Sequence, residues 1–411
     1  MIENIDNSNN LYSSEKGNIR SNLHEALFYH LRNTFRDHIQ DLLTRIHSRN
    51  KQLDIMRAFG IIAILWGHNY QPPFVFFPVF YALALFFFTS GYFFTPQITI
   101  KDKFKYFLKK TRKQLIPYLG LNLFFGLLTM WLRPMGLNLG LDINFETMFI
   151  APFGRGDQFV LYLAAWFLFN LYFISIFAGL VYQKSKKINI CIVMFAVILM
   201  CVFLLYTYNK PNISMWITFL SRSAFGFAFF SIGYLFHIYE PKIQNFVVKP
   251  INVIILYVIF DVLQKNFGDV NYDILFGNVN NKIVIVPILA TLCILFIIYI
   301  IAFYIKNILS QHSFIYLIGQ HTFSIMVWHL TCFLLVNFIL YKLLLVTLTD
   351  LSSVYFHYNI EKLWVIYQLP AIILPILLIE MYYLIRQKFL SFFKSILNSH
   401  FIFATESPPV R

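Results

Sequence analysis

Charge is what this sequence has least of. Asp, Glu, Lys and Arg make up 13% of its 411 residues, and acids are the scarcer sign, 19 against 33 Lys and Arg. A soluble domain of this length carries about a quarter charged residues, so a soluble globular enzyme is excluded. Cysteine is sparse as well. Cys191, Cys201, Cys293 and Cys332 stand singly inside apolar runs, without CxxC or Cys/His spacing. They read as core residues, and neither a disulfide nor a zinc site is expected. No apolar stretch precedes Leu53, so no cleavable signal peptide is expected and the first span would serve as the insertion signal. Internal repeats are missing too, which counts against a transporter built from inverted halves.

What the chain has instead is apolar length: 58% of it is hydrophobic and 19% aromatic. Runs of about twenty apolar residues predict ten membrane spans, at 53–70, 74–95, 114–133, 159–182, 188–208, 214–238, 248–264, 283–305, 314–345 and 364–385. Asp261 interrupts the seventh, and the ninth is long enough to extend beyond the bilayer. The expected fold class is therefore all-α, a polytopic membrane helical bundle. Before it, residues 22–49 carry Leu23, Leu27, Leu31, Phe35, Ile39, Leu42 and Ile46 at helical spacing. This amphipathic helix suits either a membrane surface or the protein's own inner side.

A formal charge of +14 can suggest nucleic acid, but position decides. The loop after the second span holds Lys101, Lys103, Lys105, Lys109, Lys110, Arg112 and Lys113, and the loop after the fourth holds Lys184, Lys186 and Lys187. Alternate loops carry acids instead: Asp142, Glu146, Asp157, Asp269, Asp273, Asp350 and Glu361. This alternation places both termini in the cytoplasm and assigns the cations to topology and membrane lipids, with no nucleic-acid partner. The chain divides into a cytoplasmic tail (1–50), a membrane domain (51–390) and a second cytoplasmic tail (391–411).

The first span, LDIMRAFGIIAILWGHNY, carries Arg57 near its start and His68 near its end. Eleven residues make about three helical turns, so both side chains leave one face, roughly 16 Å apart. Ionisable groups inside a membrane mark function by default; the competing reading is an anchoring arginine and an interfacial histidine. His329 lies about as deep in its own span as His68 does, so the two either meet in one cavity or His329 is a satisfied core residue. Ser90 and Arg222 are further candidates for contact with substrate or cavity. Asp261, Glu380 and His237 are more often structural, and Asn122, Asn170 and Asn337 are expected to bond between helices. The run KKTRKQLIPY supplies Lys110, Arg112 and Lys113, which either bind the phosphates of a cytosolic polyanion or fix topology.

These landmarks together resemble the acyltransferase-3 family of integral-membrane O-acyltransferases. The similarity lies in an Arg, ten residues and a His in the first span, in FFFTSGYFF, in the basic pair before LIPY, and in AWFLFNLYF, RSAFGFAFFSIGYLF and IGQHTFSIMVWHL. It covers about residues 50–386. The family's usual arginine pair reads here as Lys110 and Lys113, with Arg112 between, so a bidentate fork is partly lost. The resemblance implies transfer of an acyl group, commonly acetyl from acetyl-CoA, to a sugar hydroxyl of an O-antigen, capsule or related glycan at the cell inner membrane. No bound cofactor or metal is implied, since the acyl-CoA is a substrate. In such a reaction His68 is either the general base or a transient acyl carrier, and Arg57 either places the donor or stabilises the oxyanion. The rival classes are a transporter or flippase of a lipid-linked sugar and a non-catalytic scaffold of a glycan-assembly complex.

Overall fold

A computed structural model describes residues 50–68, 81–154, 156–208, 210, 213–268, 270–279, 281–310, 313–353 and 355–403. The amphipathic helix expected over 22–49 lies outside these. Asn50–Leu377 form one compact unit that carries the elements of the site, and a second unit contributes helix from Leu378 onward.

The fold is all-α. In chain order the helices are α1 (Lys51–His68), α2 (Tyr81–Tyr92), α3 (Ile100–Lys110), α4 (Ile116–Leu132), α5 (Trp166–Val181), α6 (Lys186–Thr207), α7 (Met215–Val247), α8 (Pro250–Phe267), α9 (Ile285–Ile308), α10 (Phe314–Gln320), α11 (Thr322–Lys342), α12 (Leu348–Ser352) and α13 (Ile360–Phe403). A two-residue antiparallel ladder, with Tyr272 opposite Val279, is the only strand ladder among the described residues. Among these residues, eight helical stretches are long and apolar enough to cross a membrane. α1 and the shorter α2 lie where the hydropathy pattern places the first two of its ten expected spans, but are not among the eight.

Apolar side chains cover the outside as well as the core. Met194, Phe195, Ile198 and Val202 on α6 and Ile251, Ile254, Ile255 and Val258 on α8 are all exposed. No aqueous protein tolerates faces of this extent, whereas lipid tails satisfy them, so the chain is a multi-pass membrane protein. The same physics corrects one expectation about cysteine. Cys293 and Cys332 are buried, but Cys191 is exposed on α6, because an apolar residue in a membrane bundle can face outward.

Two helices at the centre approach unusually closely. A Cβ built on Gly91 of α2 would lie 1.8 Å from the Phe230 carbonyl oxygen of α7, and one built on Gly233 of α7 would lie 2.0 Å from that of Phe88. Only glycine permits these two backbones to touch, and the paired positions run antiparallel. α1 packs against α2 as well, where Gly60 faces the Leu85 and Phe86 side chains. The predicted ninth span differs from the structure in being two helices: His321, at φ −99° and ψ 17°, ends α10 and restarts the chain as α11.

Candidate active site

One stripe of α1 connects two cavities. Arg57, Ile61, Ile64 and His68 recur at intervals of four, three and four residues, which keeps them on one helical face. α2 runs beside it in the opposite sense, with Ser90 near Arg57 and Leu83 near His68. Between the two ends Ile61 and Phe86 are buried, so the cavities are separated by an apolar partition.

The cavity at the Arg57 end has a volume of about 570 Å³. Arg57, Lys105, Lys109, Lys110 and Lys113 line it, and Asp102 is the one acid among the described residues of its wall. The spacing of Asp102, Lys105, Lys109 and Lys113 by three and four residues explains how α3 and the π-helical turn Thr111–Leu115 aim several cations at one place. Arg112 lies off that face; it is exposed and outside the lining. Lys110 is the most enclosed of the lysines, its Nζ 3.3 Å from Ser175 Oγ and above the Tyr106 ring. Arg57 donates from Nε to Thr89 Oγ1 at 3.5 Å, pairs with Asp54 at 3.5 Å and sits over the Phe93 ring. Ser90 also lines the cavity, but its hydroxyl donates to the Phe86 carbonyl at 2.7 Å, within its own helix.

The second cavity, about 460 Å³, is mostly apolar and is lined by His68, Trp166, Phe167, Tyr272, Met326 and Tyr355 among others. His68 meets His329 at the edge of this cavity, His329 itself lying outside its lining. The ring centroids are 5.2 Å apart with planes inclined by 22°, and the Tyr355 ring lies 5.3 Å from His68. His329 is fully buried, with Nδ1 2.8 Å from the Met326 carbonyl and 3.2 Å from that of Ile325. Carbonyl oxygens accept only, so Nδ1 carries the proton and Nε2 presents a lone pair. That Nε2 is buried and has no hydrogen-bond partner among the described residues. A buried acceptor of this kind suits a hydroxyl donor arriving with a substrate.

Arg222 lies behind the cavity rather than in it. It is fully buried and donates to the carbonyls of Gly154 at 2.6 Å, Ile274 at 3.3 Å and Leu275, with its guanidinium 4.8 Å from the Trp166 ring. Trp166, Ile274 and Leu275 are walls of the cavity, so Arg222 is a fastener of its shape. The asparagines bond between segments as their apolar context predicts: Asn122 to Met148 and Gln158, Asn170 to Ser223, Asn337 to Phe356 and Tyr367. Asp261 pairs with Lys265 one turn on, at 2.7 Å, and His237 packs edge-on against Tyr92. Glu380 lies on the part of α13 that belongs to the second unit. Among the described residues no group of His, Cys, Asp and Glu is arranged to hold a metal ion.

Sequence reasoning attaches no weight to Tyr355, His357 or Thr89. Tyr355 and His357 belong to a loop outside any apolar run, and Thr89 is one hydroxyl in a long apolar helix, so no periodicity marks them.

A family model described as an acyltransferase domain matches residues 50–379. No curated protein and no solved structure matches the chain.

Proposed function

Because this chain belongs to the acyltransferase-3 family, we propose that it moves an acyl group, most simply acetyl, from cytosolic acyl-CoA to a sugar hydroxyl of a surface or lipid-linked glycan. The observation that carries this reading is the single helix face that delivers Arg57 to a cation-lined cavity and His68 to an apolar one.

The first cavity suits the donor. Ammonium and guanidinium groups complement the phosphates of coenzyme A, and aromatic side chains beside them complement its base. Coenzyme A carries its thioester at the far end of an extended arm, and with its phosphates near Arg57 that arm must pass the buried Ile61 and Phe86 side chains to reach His68, so the partition between the cavities parts when the donor binds. A separation of roughly 16 Å along α1 exceeds hydrogen-bond reach, so Arg57 acts on the donor's placement and not on the reacting carbonyl.

The second cavity suits the chemistry. A sugar hydroxyl attacks the thioester carbonyl, a carbon–oxygen bond forms, and the carbon–sulfur bond breaks. His68 takes the hydroxyl proton, and the departing thiolate is protonated to free coenzyme A. His329 Nε2 accepts a hydrogen bond from the acceptor and orients it. In the covalent variant the acyl group rests on His68 before the sugar takes it, with the same overall balance. Exclusion of bulk water by the apolar lining limits hydrolysis of the thioester.

In this reading the basic end faces the cytoplasm of a cell inner membrane, both termini lie on that side, and all ten segments span. The decisive experiment supplies acetyl-CoA and an envelope glycan fraction to the purified protein in liposomes. Glycan-dependent release of free coenzyme A, with acetyl groups found on the glycan by mass spectrometry, is the expected result. Glycan movement across the bilayer without coenzyme A release would replace this reading with a flippase.

A further inference from the structure

The loop that follows α12 is tied down far more firmly than a connection requires. Asn337 of α11 donates from Nδ2 to the Phe356 carbonyl at 2.8 Å and accepts from the Tyr367 hydroxyl at 2.6 Å. That hydroxyl in turn accepts from the Tyr358 N–H at 2.9 Å. His357 donates from Nδ1 to the Tyr355 carbonyl at 2.9 Å, and its ring packs edge-on against Phe333 at 4.9 Å and Tyr367 at 4.5 Å. Asn337, Tyr367 and Phe333 are fully buried. Connections usually satisfy their backbone with water and stay mobile, but here two helices hold three consecutive residues through buried side chains.

What this arrangement presents is one ring. Tyr355 forms part of the wall of the apolar cavity, and its ring lies 5.3 Å from that of His68, tilted by 34°. His329, the other ring beside His68, is itself fixed through Nδ1. An imidazole at the end of a helix has rotameric freedom unless its neighbours remove it, and an attacking geometry needs one orientation. We propose that the segment Tyr355 to Tyr358 is a positioning element for the His68 imidazole, holding the Tyr355 ring against it. The proposal rests on the acyltransferase reading of His68. Burial pushes the His357 imidazole down to about 4, so this residue stays neutral and acts as a peg with one fixed N–H. Its role is to shape the loop, with no proton of its own to deliver.

The test uses the full-length protein with acetyl-CoA, an envelope glycan fraction and three variants: Tyr355→Ala, Tyr355→Phe and Tyr367→Phe. Loss of orientation at a reacting group costs roughly 10- to 100-fold in rate, so Tyr355→Ala should lower kcat by that much while the KM for acetyl-CoA stays unchanged. Tyr355→Phe keeps the ring and should recover most of the loss, and Tyr367→Phe, which only loosens the loop, should fall between. A second readout needs no activity: modification of His68 by diethyl pyrocarbonate, mapped by mass spectrometry, should accelerate in Tyr355→Ala. Parental kcat and parental His68 modification in Tyr355→Ala, or a Tyr355→Phe variant as impaired as the alanine, would overturn the proposal. A parental rate in His68→Gln defeats the functional reading instead, and the modification rate of His68 then decides the packing claim by itself.

Discussion

The imidazoles of His68 and His329 lie with their ring centroids 5.2 Å apart, although one belongs to α1 and the other to α11. Their meeting places a second, fully buried imidazole against the one that lines the apolar cavity, and the fixed Nδ1 of His329 decides which of its nitrogens is left to accept. His357 leaves its Nε2 buried in the same way, so what distinguishes His329 is its stacking against His68.

His68 is the first residue to replace. A general base contributes about 10²- to 10⁴-fold in rate, so His68→Gln, which keeps size and polarity without basicity, should lose at least the lower of these factors. Membrane insertion and acetyl-CoA binding should be retained. His329→Phe fills the same space without an acceptor, and should raise the KM for the glycan more than that for acetyl-CoA. Initial-rate kinetics with each substrate varied in turn separates the two effects.

At the other end of α1 the cations divide by direction. Lys110 and Lys113 line the first cavity and Arg112 does not, so the three substitutions to alanine should not be equivalent. A hydrogen bond to a charged group is worth about 1.5–3 kcal/mol, so removing one such bond weakens the donor's affinity roughly 10- to 100-fold. Lys110→Ala and Lys113→Ala should each raise the KM for acetyl-CoA on this scale, Lys113→Arg should be tolerated, and Arg112→Ala should change it little. An Arg112→Ala effect as large as that of Lys110→Ala would assign the whole run to membrane orientation.

Much of this architecture is legible in the sequence. Eight of the ten expected segments recur as helices long and apolar enough to span, because lipid demands helices of a fixed length, and the shared face of Arg57 and His68 follows from helical geometry. The pairing of His68 with His329 is legible as equal depth but not as contact, since depth says nothing about which helices are neighbours. Arg112 shows the converse limit. Adjacent residues in a basic run look alike in sequence, and only the turn of α3 into α4 sorts them between cavity and surface. Tyr355 and His357 escape notice, because a loop residue has no periodicity from which to infer its surroundings.

The close approach of α2 and α7 makes a prediction about stability. Gly91→Ala and Gly233→Ala each place a methyl group inside the van der Waals radius of a facing carbonyl oxygen, and backbone cannot swing aside as a side chain can. Overpacking of this kind costs typically about 1–3 kcal/mol, and two rigid helices place these sites at the upper end. Both variants should show a lower thermal midpoint by fluorescence-detected size-exclusion chromatography. Because α2 also borders both cavities, activity should fall further than the amount of folded protein explains.

Arg222 gives the most discriminating test of how the apolar cavity keeps its shape. Its guanidinium is fully buried, donates to carbonyls of two separate segments at Gly154 and at Ile274 and Leu275, and lies over the Trp166 indole. A planar fork can serve divergent carbonyls and an aromatic face at once; an ammonium on a flexible stem cannot. Arg222→Met removes the donors and leaves those carbonyls buried, at about 1–3 kcal/mol for each, so the protein should fail to accumulate in the membrane. Arg222→Lys keeps the charge and some of the bonds, so it should fold with a lowered thermal midpoint. Trp166, Ile274 and Leu275 wall the His68 cavity and are absent from the lining of the other, which confines the functional damage. The KM for the glycan should therefore rise in Arg222→Lys while that for acetyl-CoA stays at the parental value. An equal rise in both would mean that Arg222 supports the bundle as a whole and has no particular hold on the acceptor's cavity.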